Sequence, residues 1–393
     1  MEFPERFSDL PDYAFPRLRA LLAPHPGGGE TIDLTIGEPR HPFPDWLGAE
    51  LAANLASFGK YPPNEGMPAL RAAIAGWIGR RYGASVDPET RITIANGTRE
   101  ALFNACLAIS PEMKRGRKPA VLIPNPFYQV YAVAALAAGA DPVYLPATRE
   151  TGFLPDFDAL DPALLDRTTV VYLCSPANPQ GAVASEDYIA RLLLLAERHD
   201  FTVFLDECYS EIWREAPPPG GLGVAEGMGA DPERVMVFNS LSKRSNVPGL
   251  RSGFVAGGPV AMARLKRFRS YQGAPVPGPL QAVSTRLWSD EAHVVENQAL
   301  YAAKYAAADR ILGNVPGYRA PAGGFFLWLP VPEGEAAAVD LWAKGGVRVL
   351  PGAYLARDDR GGNPGRGYIR VAMVAPQDEM ERGLAAIRDM PAR

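Results

Sequence analysis

From residue 91 onward, short apolar runs alternate with stretches of helical spacing. Residues 92–95, 120–124, 142–145, 169–174, 202–206, 235–238 and 253–256 read as strands. Helical periodicity falls at 98–109, 129–138, 185–199 and 260–270. This alternation predicts an α/β region whose seven strands form a mostly parallel sheet covered by helices. Upstream, residues 1–30 are rich in proline and glycine and predict an irregular arm with one short helix near 15–23. Residues 50–58 and 67–82 read as helices, separated by the turn-rich loop Tyr61-Pro-Pro-Asn-Glu-Gly66. After Pro279 the pattern changes. Residues 281–312 read as one long helix or a broken pair. Strands are expected at 325–329, 347–350 and 368–374, and a closing helix at 377–387. The expected organisation is an arm and small-domain segment over 1–45, a large α/β domain over 46–280 and a small α+β domain over 281–393.

A chain of 393 residues is too long for one simple core. Apolar residues make up 47% and charged residues 21%, an ordinary balance for a soluble enzyme. The formal charge of −4 leaves no footprint for nucleic acid, so acidic ligands must be met by local arginines. Cys106, Cys174 and Cys208 lie far apart in apolar surroundings and are expected to be reduced thiols of a cytoplasmic protein. The four histidines form no metal-ligating pattern, so no metal is expected. No signal peptide is read at the N-terminus, and no uncharged apolar stretch reaches the ~18 residues of a membrane helix.

Candidate chemistry concentrates in Ser240-Leu-Ser-Lys-Arg-Ser-Asn-Val-Pro-Gly-Leu-Arg-Ser-Gly253. The hydroxyls of Ser240 and Ser242 and the guanidinium of Arg251 are donors that suit a phosphate dianion. Lys243 is an amine that becomes a nucleophile once a carbonyl carbon is held beside it. Asn96-Gly-Thr-Arg-Glu100 closes one strand and opens a helix. Gly97 permits close backbone approach, and the helix start at Thr98 and Arg99 offers free N–H groups to an anion; an ordinary helix cap reads the same way. Tyr128, after another strand, has a ring that suits stacking on a flat ligand. Asn178 sits in Ser175-Pro-Ala-Asn-Pro-Gln-Gly181, again after a strand. Asp206 ends an apolar strand, where a carboxylate is costly to bury without a cationic partner. Arg370 lies within the apolar run 367–373 and needs an anion.

Taken in order, Gly-Thr, Tyr, Asn-Pro-x-Gly, Asp-x-x-Tyr, Ser-x-Ser-Lys, Arg and Arg resemble the fold-type I, pyridoxal-phosphate-dependent class I/II aminotransferases over nearly the whole chain. The resemblance implies an aspartate aminotransferase-like fold and pyridoxal 5'-phosphate as cofactor. It also implies that Lys243 forms the Schiff base with the cofactor and shuttles the substrate proton. Gly97, Thr98, Arg99, Ser240, Ser242 and Arg251 would hold the phosphate. Asn178 and Tyr209 would meet the ring oxygen, Asp206 the ring nitrogen and Tyr128 the ring face. Arg370, with Asn178 and the loop at Gly37, would hold the substrate carboxylate. Tyr61 would reach the phosphate of a neighbouring subunit, making a homodimer with shared sites. One departure is Gln180, where many relatives carry threonine.

Longer strings, such as Asn125-Pro-Phe-Tyr-Gln-Val-Tyr131 and Asp206-Glu-Cys-Tyr-Ser-Glu-Ile212, are similar to the proteobacterial succinyldiaminopimelate transaminases. That resemblance implies amino exchange between N-succinyl-LL-2,6-diaminopimelate and 2-oxoglutarate in bacterial lysine biosynthesis. Such substrates carry a distal carboxylate, for which Arg40, Arg99 and Arg244 are the candidate anchors. Open alternatives are another transaminase for aspartate, aromatic or acylornithine-type substrates, or a carbon–sulfur lyase. A transcriptional regulator fits poorly, because no helix-turn-helix or basic patch precedes residue 90.

Overall fold

The computed structural model describes residues 4–8, 10–358 and 361–390. After α1 (Ala14–Leu22), β1 (Ile32–Asp33), α2 (Leu47–Ala53) and α3 (Pro68–Tyr82), the α/β alternation begins. It runs β2 (Ile92–Ala95), α4 (Thr98–Ile109), β3 (Ala120–Asn125), α5 (Gln129–Ala137), β4 (Asp141–Pro146), α6 (Pro162–Leu165), β5 (Thr168–Cys174) and α7 (Glu186–His199). It continues with β6 (Thr202–Asp206), α8 (Gly221–Gly227), β7 (Val235–Ser240), α9 (Leu241–Arg244), β8 (Gly253–Gly257) and α10 (Pro259–Arg269). The remainder is α11 (Gly278–Ser289), α12 (Ala292–Leu312), β9 (Phe326–Pro330), α13 (Gly334–Gly345), β10 (Val347–Arg348), β11 (Leu350–Pro351), β12 (Tyr368–Ala372) and α14 (Gln377–Arg388).

All seven strands expected between residues 92 and 257 are present in one sheet, ordered β2-β8-β7-β6-β5-β3-β4. Only β8 runs against its neighbours; the rest are parallel. The period of two along each strand divides the core into layers. Leu122, Val171, Leu173, Val203, Leu205 and Val237 join one apolar cluster with α3, α7 and α11. Val121, Ile123, Val170, Tyr172, Phe204 and Phe238 join another with α4, α5 and α10. The C-terminal ends of β2, β3, β5, β6 and β7 and the start of the reversed β8 therefore open on one edge, where an α/β sheet presents its ligand site. A second, antiparallel sheet, β11-β12-β9, packs with α12, α13 and α14 around its own apolar cluster. The arm joins it: β1 pairs with β10, and α1 packs on α13.

The differences from expectation have local causes. The helix expected over 50–58 breaks at Asn54, whose side-chain amide donates to the Glu50 carbonyl at 2.9 Å, and continues as a 3-10 turn. The long helix after Pro279 is a broken pair. Asp290 is extended (φ −100°, ψ 123°), and its carboxylate accepts from the Ala292 N–H at 3.0 Å. The single strand expected over 347–350 is two, one pairing with β1 and the other with β12. No helix among the described residues is long and apolar enough to cross a membrane.

Candidate active site

Lys243 lies on the short α9 turn directly after β7. Its amine donates to the Gly37 carbonyl and stands 5.2 Å from the centre of the Phe325 ring. Burial lowers its pKa to about 8, and Arg370 and Arg251 push the same way against Cys208 and Glu38. Gly37 itself passes against Phe326 and Phe325 so closely that a Cβ there would overlap the Phe326 ring.

Beside the lysine, the start of α4, β7 and β8 form a concave set of donors. Gly97 has φ +83°, and a Cβ at that position would fall on the Arg251 guanidinium. Arg251 donates to the carbonyls of Asn96 and Pro248 at 2.8 Å each. Thr98 Oγ1 lies 3.1 Å from Cys208 Sγ, which is 3.9 Å from Ser240 Oγ. The first N–H groups of α4 have no helical acceptor, and with Ser240 and Arg251 this corner has donors that suit a phosphate dianion, Ser242 following on the α9 turn.

Asp206, at the end of β6, is buried. Its carboxylate accepts from the Tyr131 hydroxyl at 2.7 Å and from the Cys208 N–H at 3.3 Å. No cationic side chain pairs with it among the described residues, and burial holds its pKa above the usual carboxylate range. Tyr131 has no role in the sequence reading. It stacks on Tyr172 (4.3 Å, 10°) and meets Tyr128 edge-on at 5.7 Å. Its spacing from Tyr128, one helical turn, was the available signal. The Tyr128 hydroxyl in turn accepts from Arg99 Nε at 3.0 Å.

Arg370, in the middle of β12, is a buried cation with no carboxylate within ion-pair distance among the described residues. Its Nη1 donates to Asn178 Oδ1 at 3.1 Å and its Nη2 to the Thr35 carbonyl at 2.8 Å. Its Nε has no partner, and the guanidinium stacks 4.2 Å from the centre of the Phe326 ring. Burial lowers its pKa to about 10, so it stays charged at neutral pH. Tyr209 packs edge-on against Phe325 and Phe326, and burial raises its hydroxyl pKa. A buried arginine and a buried carboxylate thus lie within electrostatic reach of a lysine of lowered pKa, the first two without an ion-pair partner among the described residues.

Three expected residues lie apart from this core. Arg40 pairs with Glu379 of α14 at 3.1 Å. Tyr61 is fully exposed. Arg244 corrects an expectation: it is buried, pairs with Glu291 at 2.9 Å and donates to the Leu287 carbonyl at 2.7 Å, so its charge is already used within the fold.

The sheet, the lysine turn and the paired anion sites define a fold-type I aminotransferase architecture. The chain matches the family described as aminotransferase class I and II over residues 29–387, and it belongs to that family. Its cofactor is pyridoxal phosphate. Among solved structures, an aminotransferase from Neisseria meningitidis is 38% identical with a TM-score of 0.93, covering 98% of this chain and 99% of its own. The aminotransferase AspB from Helicobacter pylori is 34% identical with a TM-score of 0.89, covering 99% and 98%. The LL-diaminopimelate aminotransferase of Dehalococcoides mccartyi is 31% identical over 403 residues, covering 100% of both chains.

Proposed function

We propose that this aminotransferase moves an amino group between N-succinyl-LL-2,6-diaminopimelate and 2-oxoglutarate, within bacterial lysine biosynthesis. The observation that carries the reading is Arg370, a buried cation bonded to Asn178 and lacking any acidic partner among the described residues. It accounts for an α-carboxylate as ligand. The longer motif strings support the succinylated substrate. The second reading, unacylated LL-diaminopimelate, is favoured by the name of the Dehalococcoides relative. Steady-state kinetics with each donor and 2-oxoglutarate decide between them: kcat/KM should be higher for the succinylated donor, and the reverse ranking would replace it.

Bound pyridoxal phosphate supplies an electron sink that makes the substrate Cα–H bond acidic. The chain's own residues do the rest. Gly97, Thr98, the backbone N–H of Arg99, Ser240, Ser242 and Arg251 would hold the phosphate end. Asp206 would meet the ring nitrogen, its carboxylate held by the Tyr131 hydroxyl. Asn178 uses its oxygen on Arg370, which frees its amide N–H groups for the ring oxygen beside Tyr209. Tyr128 would cover the ring. Lys243 moves the proton at the substrate Cα, and its pKa of about 8 suits a base at neutral to mildly alkaline pH.

For the distal carboxylate we assign Arg99 ahead of Arg40. Arg99 is fixed by Tyr128 at the rim, whereas Arg40 already pairs with Glu379. Arg99→Ala should raise KM for dicarboxylate substrates by about 10-fold, the scale of one charge-assisted hydrogen bond, and leave KM for alanine unchanged. Equal changes for both substrates would move the role to Arg40.

Asp206→Asn should act in opposite directions in the two forms of the protein. In the cofactor-free protein the raised pKa of Asp206 means that its stabilising, protonated form is lost as pH rises through the folded value. The variant should therefore melt higher than wild type at pH 8 without cofactor, and it should bind cofactor more weakly. Matching melting curves with and without cofactor would contradict this pairing.

A homodimer in which Tyr61 reaches the partner's phosphate is supported by the full exposure of its ring, near exposed Phe58 and Leu55. Tyr61→Phe should leave the dimer intact in sedimentation and weaken cofactor binding about 10-fold. We further propose domain divisions near residues 45 and 280, supported by the separate apolar cluster of the second sheet. A cytoplasmic location is supported by the three free cysteines.

A further inference from the structure

The three residues that follow Lys243 are each tied to the end of α11, its junction with α12 or the first two turns of α12. Arg244 pairs with Glu291 and donates to Leu287, as above. Asn246 donates to the Asn297 side chain at 3.1 Å. Between them, Ser245 Oγ lies 2.8 Å from His293 Nε2, and His293 Nδ1 lies 3.0 Å from Asp290 Oδ2. The Asp290 carboxylate only accepts, so Nδ1 carries the imidazole proton. Nε2 is then the acceptor, facing both the Ser245 hydroxyl and Arg244 Nη1 at 3.5 Å.

An aspartate–histidine–serine chain activates a nucleophile when its serine meets a substrate. Here Ser245 has no exposed surface, so it cannot attack one. What the chain does hold is the turn bearing Lys243. The Ser245 N–H donates to the Leu241 carbonyl at 3.0 Å and closes α9, and its hydroxyl fastens that turn to the head of α12. The carboxylate that orients His293 also breaks the helix pair, through its bond to the Ala292 N–H. The lysine turn and the long helix α12, whose later residues Tyr301 and Tyr305 pack in the second core, are thereby linked through one imidazole.

We propose that His293, held neutral between Asp290 and Ser245, is a positioning residue for Lys243, and that its protonation releases the lysine-bearing turn. The proposal rests on the reading of Lys243 as the reacting amine. The charged groups around the ring are Arg244 from α9, Asp290 and Glu291 from the junction, and Arg80 of α3, which reaches Glu291 at 3.1 Å. Burial, then Arg244, keep His293 below the ordinary imidazole range, with Asp290 and Glu291 opposing. The neutral ring is the working form. As pH falls through its folded pKa, Nε2 gains a proton, Ser245 can no longer donate to it, and the new imidazolium faces the Arg244 guanidinium at 3.5 Å, a like-charge contact that pushes the turn away.

The test compares His293→Ala, Ser245→Ala and His293→Gln. In the cofactor-free protein, the pH dependence of reductive methylation at Lys243 is read on its peptide by mass spectrometry. The wild-type midpoint should lie at about 8. In the two alanine variants it should rise by about one pH unit, toward the ordinary lysine value of about 10.4. In the holoenzyme the alanine variants should lose about 10-fold in kcat, with KM for the amino donor changed less than about 2-fold. His293→Gln, whose amide oxygen can still accept from Ser245, should recover most of that loss and flatten the acid limb of the kcat profile. If the alanine variants fail to fold, the pH profile and the lysine midpoint of His293→Gln carry the test. A lowered melting temperature with unchanged Lys243 midpoint, kcat and acid limb would overturn the proposal. Failure of the underlying reading looks different: Lys243→Ala would then keep both bound cofactor colour and turnover, whatever His293 does.

Discussion

Lys243→Ala should leave a folded protein that has lost transamination, with turnover down by about 10⁴-fold, the upper range for removing a positioned acid–base group. The fold should tolerate the change. The amine is flanked by Arg251 and Arg370, both of which disfavour its charge, and burial has already lowered its pKa to about 8. Truncation removes one of three nearby cations and a single bond to the Gly37 carbonyl. A melting temperature at or above that of the wild type is therefore expected alongside the lost activity. Single-turnover assays and a thermal melt on the same preparation check both halves. Turnover within about tenfold of wild type would remove Lys243 from the proton-transfer role.

Arg370→Met should split function from stability more sharply. The guanidinium is buried in the middle of β12, and among the described residues its Nε is unpartnered and no carboxylate offsets its charge. Such a site costs the free protein stability, so a methionine of similar length should raise the melting temperature. The same substitution removes two charge-assisted hydrogen bonds to a substrate carboxylate. At about 1.5–3 kcal/mol each, kcat/KM should fall by about 10²–10⁴-fold. Cofactor affinity should change little, because the phosphate donors lie at α4, β7 and β8. A variant that is both less stable and only mildly impaired would recast Arg370 as a structural residue bonded to Asn178 and Thr35.

Much of this site can be read along the chain because parallel α/β sheets place chemistry at strand ends. Asp206, Ser240 and Gly97 each follow an apolar run, and all seven runs become strands of one sheet. The rest depended on contacts distant in sequence. Tyr131 lies 75 residues from the carboxylate it supports, and its one-turn spacing from Tyr128 marks a shared helix face without naming that partner. His293 and Ser245 are 48 residues apart and meet only when α11 and α12 fold back on the lysine turn. Four helices were missed: α6 and α9 are four-residue turns too short to show a period, and the other two were hidden by composition. α8 is half-masked by its glycines, and α13 opens and closes with glycine around an alanine-rich middle. Arg244 shows the opposite failure. Its place beside Lys243 invites a substrate role, but Glu291, Leu287 and the Trp288 ring (5.0 Å) take up its guanidinium.

The most direct test of the account is the visible spectrum of the purified protein during a half-reaction. N-Succinyl-LL-diaminopimelate is added without keto acid, and 2-oxoglutarate follows. The account predicts a yellow protein that bleaches with the amino donor and regains its colour with the keto acid. A yellow protein that bleaches with glutamate yet ignores the succinylated donor would contradict the proposed substrate. A protein that stays colourless after pyridoxal phosphate is supplied would contradict the roles given to Lys243, Asp206 and the phosphate corner together.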